Sequence, residues 1–454
     1  MVKKILTGIC FAGLAFTVFA TDARIETMGG TDRFFSDEMS IHRNPANMGL
    51  FGNIMYGSYG RVPEDVKSAT SNHRSNWQPT SPFFGGAVSF GQNEGNPQRF
   101  TIGATFNRVD SALNFVAFNI DELGLRTADM VGGERVLLFA GNNFWNGLRQ
   151  DPIIDLVGKV DVMLAKTLPN GTTIGLGSYF AFQNGSMYHL LRDVPQTTNT
   201  ARLNQEGLKN RFVRGNIGVN TPIGDGISLE ASVGVSALTL VGGWAENPSQ
   251  GMENFHRVAD NDIGVHIDVR MFSDIPAING AFVPSLRADI VNYGDDERIT
   301  NFSAGLGINI NIDRGFFWTG FYGLFESKSH AMLIPGSQET LGGILTGVQP
   351  TFGSKDLMGG RIGFGIERNV LTDWFVLRVG GSKILAKESF GNGGSRWIDT
   401  HDTDHVSLGM GVNVENRLKI DFTVSQNLPY TFTGLFSNGN NNYLASRVSA
   451  IFAF

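Results

Sequence analysis

Residues 301–312, NFSAGLGININI, alternate strictly between apolar side chains and side chains that are polar or absent. Phe302 and every second residue to Ile312 are apolar, whereas asparagine, serine and glycine occupy the positions between them. Because successive side chains of a β-strand point to opposite faces, this pattern predicts a strand with one apolar and one polar face. Residues 313–315 then predict a tight turn into a second strand that is rich in aromatic residues.

The same alternation recurs along most of the chain. Residues 405–414 and 418–425 form another predicted hairpin, and Asn170-Gly171 supplies a strong turn signal for a third. No long stretch has the 3.6-residue apolar period of an amphipathic helix, so helical domains are not expected. The pattern predicts an all-β chain of about sixteen strands, with fourteen as the alternative, at residues 51–60, 83–91, 99–108, 158–167, 172–182, 211–220, 227–237, 262–272, 281–291, 301–312, 316–325, 358–368, 374–382, 405–414, 418–425 and 444–454.

Alternation by itself fits either a soluble sandwich or a membrane barrel, because both have one apolar face. The predicted connections favour a transmembrane antiparallel β-barrel, in which short turns lie on one rim and long loops on the other. Short turns are expected near residues 169–171, 221–226, 313–315, 369–373 and 415–417. Long polar loops are expected at residues 183–210, 238–261, 326–357, 383–404 and 426–443.

The end of the chain supplies a further indication. Counting back from the last strand places every short turn on the rim where the chain ends, which is the periplasmic rim of such a barrel. Phe452 and Phe454 lie on the apolar face of this strand. A terminal aromatic residue here is similar to the assembly signal of outer-membrane proteins. We therefore expect these two residues to engage the barrel assembly machinery, and the barrel to contact outer-membrane lipid.

The first twenty residues predict a secretory signal peptide. Lys3 and Lys4 precede an apolar run from Ile5 to Phe19, and a small residue follows at the expected cleavage position. Cys10 is the only cysteine and lies within this run, so the processed chain has no thiol. A secretory signal followed by a barrel predicts the outer membrane of a bacterial cell.

Composition and motifs argue against several other functions. The formal net charge is −6 and no basic stripe occurs, so nucleic acid is not an expected partner. No hydrolase elbow, phosphate loop or zinc motif is present, and we expect no enzyme activity, cofactor or metal. His401 and His405 suggest a metal pair, but a solvated loop rim is the preferred interpretation. The acidic residues 295–297 likewise fit a solvated loop tip.

Two sets of side chains are expected to have structural roles. His266, Asp268 and Arg270 alternate with apolar residues and are predicted to face the lumen together, as a polar network. A catalytic role for them would need a nearby nucleophile, which the sequence does not place. Aromatic residues near strand ends are expected to form interfacial girdles, with lining of a hydrophobic ligand path as the alternative: Phe316, Phe317, Trp318, Phe321, Tyr322, Trp374 and Phe375.

Residues 21–50 do not alternate, and they precede the first predicted strand. They contain Met28-Gly29-Gly30, Asp37-Glu38-Met39-Ser40 and Asn44-Pro45-Ala46-Asn47-Met48. This series resembles the N-terminal signature of FadL-type outer-membrane transporters and the related PorV-like barrels. It departs from that signature at Thr31, where a small residue is usual, and at Asn47, where glycine is usual. The likeness is confined to residues 21–50, since the rest of the chain agrees only in architecture.

The resemblance implies that residues 21–50 fold back into a barrel of residues 51–454 as a hatch. Gly29 and Gly30 permit a bend and a close approach to the wall, and Asn44 before Pro45 favours a turn. With Ala46, these four residues form the predicted gate. The alternative is a leader that lies under the barrel and has no gating role.

Two functions follow from the resemblance. A FadL-like chain would be an outer-membrane channel for passive uptake of hydrophobic or amphipathic small molecules, with no cofactor. A PorV-like chain would be an assembly or secretion partner that presents its loops to other proteins. A third class, an outer-membrane hydrolase, is disfavoured.

Overall fold

The chain forms a closed antiparallel β-barrel of sixteen strands. Every barrel strand pairs with its two neighbours along the chain, and the first strand pairs with the last, with Gly57 opposite Ala450. Closure leaves no open sheet edge, as hydrocarbon requires. The computed structural model describes residues 22–60, 82–91, 99–108, 110, 128–131, 134–137, 158–184, 209–243, 255–293, 297–333, 351–370, 374–391, 393–397, 405–415, 417–425 and 447–454.

Three of the nineteen strands that the structure describes are not members of the closed barrel. β4 and β5 form a separate hairpin, and β16 pairs with residues 387–389 of β15, whereas β17 pairs with residues 375–382. The strands are β1 (Ile54–Gly60), β2 (Phe83–Phe90), β3 (Arg99–Phe106), β4 (Ala128–Val131), β5 (Glu134–Leu137), β6 (Gly158–Thr167), β7 (Thr173–Asn184), β8 (Lys209–Gly224), β9 (Ile227–Gly243), β10 (Phe255–Ile275), β11 (Gly280–Tyr293), β12 (Glu297–Ile312), β13 (Gly315–Leu333), β14 (Thr351–Asn369), β15 (Phe375–Phe390), β16 (Ser395–Trp397), β17 (His405–Val414), β18 (Leu418–Ser425) and β19 (Arg447–Ala453).

The prediction of sixteen barrel strands is confirmed, and each predicted strand overlaps an observed one. The observed strands from β8 to β15 are longer than predicted, reaching 21 residues in β10. About 9 to 11 residues suffice for a tilted strand to cross a bilayer. Most of the surplus length of β9, β10 and β12 to β15 extends on the long-loop side, whereas β8 gains residues 221–224 at the short-turn rim.

The two faces of the wall differ as the alternation predicts. On β12, Leu306 is 57% exposed and faces outward, whereas Ser303 is 4% exposed and faces the lumen. Ile217 on β8 and Val235 on β9 are also exposed and face outward. Phe452 and Phe454 are also exposed on the outside, and their rings stack with centroids 6.4 Å apart. The barrel therefore presents an apolar outer surface and a polar lumen.

The connections alternate in length between the two rims. The strand bounds leave only residues 168–172, 225–226, 276–279, 313–314, 370–374 and 415–417 at the short-turn rim between β6 and β18. The opposite rim carries the longer connections, with one departure: residues 294–296 alone separate β11 from β12. The chain ends at the short-turn rim, where Ala453 donates its backbone N–H to the carbonyl of Arg417.

Residues 22–50, called the inner segment below, lie against the polar face of the wall. They contain the helix Asp22–Thr27 and two single 3-10 turns, Glu38–His42 and Pro45–Gly49. The helix contacts β15, β17, β18 and β19, and the second turn contacts β3, β6, β7 and β8. The described part of the chain includes no helix long and apolar enough to cross a membrane.

Candidate functional site

The turn at Asn44-Pro45-Ala46 sits directly on the barrel wall. Asn44 has an extended backbone and caps the following 3-10 turn, because its Oδ1 accepts a hydrogen bond from the N–H of Ala46 at 3.1 Å. Its Nδ2 donates to the carbonyl of Val219 on β8 at 3.0 Å. The wall admits this approach because position 175 on β7 is glycine: a Cβ there would lie 2.2 Å from the nitrogen of Ala46.

Gly29 makes a second contact with the wall, on the opposite side of the lumen, and the adjacent Gly30 is exposed. Both have positive φ, +95° and +72°, a conformation that strains other residues. A Cβ on Gly29 would also lie 2.8 Å from the carbonyl oxygen of Phe364. The neighbouring carbonyl of Met28 accepts a hydrogen bond from Trp318 Nε1 at 2.9 Å.

The girdle prediction is wrong for three of the aromatic residues, Phe316, Trp318 and Tyr322, which share the inner face of β13. Tyr322 contacts Phe34, with ring centroids 6.4 Å apart. Trp318 is fully buried and Phe316 is 8% exposed, and both face the lumen. They pack against Phe34 and Phe35 of the inner segment, with ring centroids 5.8 to 6.0 Å apart. Their positions on β13 fall on the inner face, so they bind the inner segment and not lipid headgroups. Exposed Trp374 remains outward-facing.

Buried ion pairs join the inner segment to the wall. Arg24 donates two hydrogen bonds to Glu367 of β14, at 2.8 and 2.5 Å, and its side chain is 1% exposed. Arg378 donates to the same carboxylate at 2.9 Å and to Asp421 at 2.6 Å. Such two-pronged arginine–carboxylate contacts fix both position and orientation. None of these partners is suggested by the sequence, which separates Arg24 from Glu367 by 343 positions.

The predicted lumenal residues His266, Asp268 and Arg270 share one face of β10 but do not bond to each other. Asp268 Oδ1 lies 3.4 Å from Arg43 Nε of the inner segment. Arg270 donates to Glu230 at 2.6 Å and to the carbonyl of Phe35 at 2.6 Å. The imidazole of His266 contacts other wall strands, as described below. Asp268 and Arg270 thus help to hold the inner segment.

Burial shifts the pKa values of Asp37 and His42, two ionisable residues of the inner segment, towards their neutral forms. Burial and the nearby Asp32 raise the pKa of the Asp37 carboxyl to about 7. Its Oδ1 accepts from the N–H of Ser40, whereas its Oδ2 has no hydrogen-bond partner among the described residues. Burial and the Arg108 charge lower the pKa of the His42 imidazole well below its usual value. Both groups therefore favour the neutral form while the inner segment is docked.

Substituting Asp37→Asn is expected to remove a pH dependence from docking. The docked carboxyl keeps its proton up to about pH 7, whereas a released one loses it near its usual pKa of 3.8. Docking of the native segment should therefore weaken as pH rises between these values, by on the order of a few kcal/mol. We would follow maleimide labelling of Met48→Cys, a fully buried site, in a Cys10→Ser background in which the new cysteine is the only thiol of the chain.

The informative quantity is the ratio of the labelling rate in the native background to that in Asp37→Asn at the same pH, because the reactivity of the thiol itself rises with pH in both. That ratio should grow from pH 4 to pH 7 and then level off. The exposed Asp313→Asn serves as the control and should match the native background throughout. A ratio that stays constant with pH would contradict the role given to Asp37.

A polar recess lies in the lumen farther from the short turns than the inner segment. It is lined by both charge types together with amide and hydroxyl groups, including Arg43, Arg214, Asn216, Asp268, Arg287 and Asp289. Arg214 links the recess to the inner segment, because its Nη2 donates to Asp110 at 2.7 Å and to the carbonyl of His42 at 3.2 Å. The recess therefore presents charged and polar side chains to the lumen directly above the inner segment.

The loop residues considered as metal ligands fall outside the described part of the structure. Residues 295–296 and 401–404 lie outside the described residues, and the side chains of Glu297 and His405 do as well. Within the described part of the chain, no cluster of three or more histidine, cysteine or acidic residues could hold a metal ion.

Comparison with known proteins yields no family. No family model and no curated protein matches the chain. Among solved structures, the toluene transporter TodX of Pseudomonas putida is 10% identical with a TM-score of 0.36, covering 96% of this chain and 98% of TodX. CdiB of Escherichia coli is 9% identical with a TM-score of 0.38, covering 88% of this chain, which spans only 63% of the length of CdiB.

A loop-deletion mutant of OmpT, an outer-membrane protein of Vibrio cholerae, is 9% identical with a TM-score of 0.35, covering 88% of this chain and 99% of that one. These scores are low, and the class of the protein follows from its own strands. It is a closed sixteen-stranded antiparallel β-barrel with an apolar outer surface, and residues 22–50 pack against the inner face of its wall.

Proposed function

We propose that the protein is a bacterial outer-membrane channel for passive uptake of small amphipathic molecules, gated by the inner segment. The observation that carries this proposal is the way the inner segment is held. It contacts strands around the barrel from β3 to β19, yet its contacts to the wall are hydrogen bonds, ion pairs and apolar packing. Contacts of this kind can be released without breaking the barrel.

The lining of the lumen favours an amphipathic solute over a purely hydrophobic one. The recess above the inner segment presents arginine, aspartate and asparagine side chains. A solute with one polar group can replace the hydrogen bonds of these side chains to water, whereas a hydrocarbon would leave them unpaired at a cost of about 1 to 3 kcal/mol each. We therefore place Asn44, Pro45 and Ala46, together with Gly29 and Gly30, at the gate through which such a solute leaves.

The test is uptake into liposomes by the full chain and by a chain that lacks residues 22–48. The full chain should admit amphipathic solutes faster than hydrocarbons or sugars of similar size. The truncated chain should admit all three classes faster, because the lumen is then open. Absence of flux through both forms, with the barrels folded, would remove the channel from consideration.

The second candidate is a non-conducting barrel that presents its loops to a partner protein, as the PorV-like resemblance implies. The observation in its favour is the same inner segment, which ion pairs such as Arg24–Glu367 and Arg43–Asp268 hold against the lumenal face of the wall. This function predicts that the full chain conducts no solute, that the truncated chain conducts freely, and that opening has no physiological trigger. A native chain that transports any solute would exclude it.

A further inference from the structure

Three side chains on adjacent strands form a continuous hydrogen-bonded chain in the wall of the lumen. Ser236 Oγ on β9 lies 2.8 Å from His266 Nε2 on β10, and His266 Nδ1 lies 2.9 Å from Asp289 Oδ1 on β11. They are 2%, 7% and 2% exposed. Arg287 donates to the second oxygen of Asp289 at 2.8 Å. The order is that of a serine nucleophile, an imidazole base and a carboxylate that orients the base.

Strand register brings the three residues together. His266 pairs with Asp289 on one side and with Gly234 on the other, whereas Ser236 pairs with Gly264. The imidazole therefore reaches Ser236 diagonally, across the space that a side chain at position 264 would occupy. A Cβ on Gly264 would lie 2.5 Å from Ser236 Oγ and 3.2 Å from His266 Nε2. Glycine at this position is what allows the contact.

Arg214 provides a donor on the other side of Ser236. It is the register partner of Ser236 on β8 and is 6% exposed. Its Nη2 is occupied by Asp110 and His42, but its Nε has no hydrogen-bond partner among the described residues. A buried N–H opposite the serine, unpaired among the described residues, can donate a hydrogen bond to the oxygen that becomes negative during attack on a carbonyl group. Arg214, His266 and Asp289 all line the polar recess, which connects them to the lumen.

We propose that Ser236, His266 and Asp289 form an esterase site for short, polar carboxylic esters that enter the lumen, with Arg214 as the oxyanion donor. Ser236 Oγ bonds to the carbonyl carbon while His266 Nε2 takes the serine proton. The ester C–O bond then breaks, and His266 returns that proton to the leaving alcohol. Water repeats the sequence on the acyl-serine, which releases the acid and restores the serine. Asp289 acts through His266 and is a positioning residue.

The test uses the full chain folded in detergent micelles, where no transport step is involved, so its outcome is independent of the proposed channel. We expect hydrolysis of p-nitrophenyl acetate and a covalent fluorophosphonate adduct on the peptide that contains Ser236. Ser236→Ala should lose both. Ser285→Ala is the matched control: Ser285 faces the lumen on β11, its Oγ has no hydrogen-bond partner among the described residues, and both signals should remain.

Two further variants separate catalysis from structure. Asp289→Asn should lower kcat by on the order of 10³- to 10⁴-fold with KM unchanged, because the imidazole then adopts the wrong tautomer. His266→Ala should recover part of its activity when free imidazole is added. Folding of each variant is verified by its heat-modifiable migration on gels. The proposal is overturned if the folded native chain hydrolyses the ester no faster than Ser236→Ala, or if no adduct forms on Ser236.

Discussion

Replacing Gly175 with valine is expected to push the Asn44-Pro45-Ala46 turn off the wall and to raise the conductance of the barrel. A Cβ at position 175 would lie 2.2 Å from the nitrogen of Ala46 and 2.3 Å from the carbonyl carbon of Pro45. Carbon atoms in favourable contact stay about 3.5 to 4 Å apart, so one of the two elements must move. β7 is paired on both sides, with β6 and β8, and the inner segment is therefore the element that yields.

The size of the effect follows from the cost of overpacking. Extra methyl groups in a packed interior cost about 1 to 3 kcal/mol. This free-energy cost destabilises docking of the inner segment and not β7, because valine is a favourable residue within a β-strand. Every 1.4 kcal/mol is roughly a tenfold change in an equilibrium, so maleimide labelling of Met48→Cys should accelerate by about ten- to a hundred-fold. Conductance across a planar bilayer should rise in the same variant.

The control is Gly215→Val, the same substitution on the outer face of the adjoining strand. No described residue lies within 4 Å of a Cβ built at position 215, so labelling and conductance should both stay at the native level. If Gly175→Val were folded and indistinguishable from this control, the Asn44-Pro45-Ala46 turn would have no part in gating.

The barrel architecture can be predicted from the sequence because alternate residues of each strand face two different environments. Residues on the outer face are apolar, and residues on the lumenal face are polar or small. Leu306 and Ser303 show the result, since one faces hydrocarbon and the other a polar interior. This period-2 signal persists through strands such as β12 and β17, and the turn residues between strands mark the short rim. The count of sixteen follows from that signal. The long-loop end of β10 lies beyond the predicted strand because bulges between residues 257 and 262 interrupt its alternation.

The contacts of the candidate site could not be predicted in the same way. Sequence places His266 on the inner face of β10, but its neighbour Ser236 depends on the register between β9 and β10. These strands are joined through residues 244–254, so counting from a tight turn does not fix that register. Trp318 was misassigned for a related reason: its aromatic character fits a headgroup girdle, and only its partners Phe34 and Phe35 reveal the inward face.

Replacing Glu367 with glutamine is expected to release the helix Asp22–Thr27 from the wall. Glu367 binds Arg24 and Arg378 at once, and both arginine side chains are at most 4% exposed. Removing one partner of a buried ion pair costs about 3 to 5 kcal/mol, because the remaining charge keeps its desolvation penalty. Labelling of Met28→Cys, a fully buried site beside this helix, should therefore accelerate by roughly 10²- to 10³-fold.

A double variant determines whether the charge or the packing is responsible. Replacing Arg24 and Glu367 together with methionine removes both charges and keeps much of their volume, and such replacements are often neutral. We expect its labelling rate to lie well below that of Glu367→Gln. The exposed pair of Arg368 and Asp313, 3.8 Å apart, provides the control, and Asp313→Asn should leave labelling unchanged. If Glu367→Gln labelled no faster than the native background, the ion pair would not be what holds the helix, and apolar packing around Phe35 would be its main attachment.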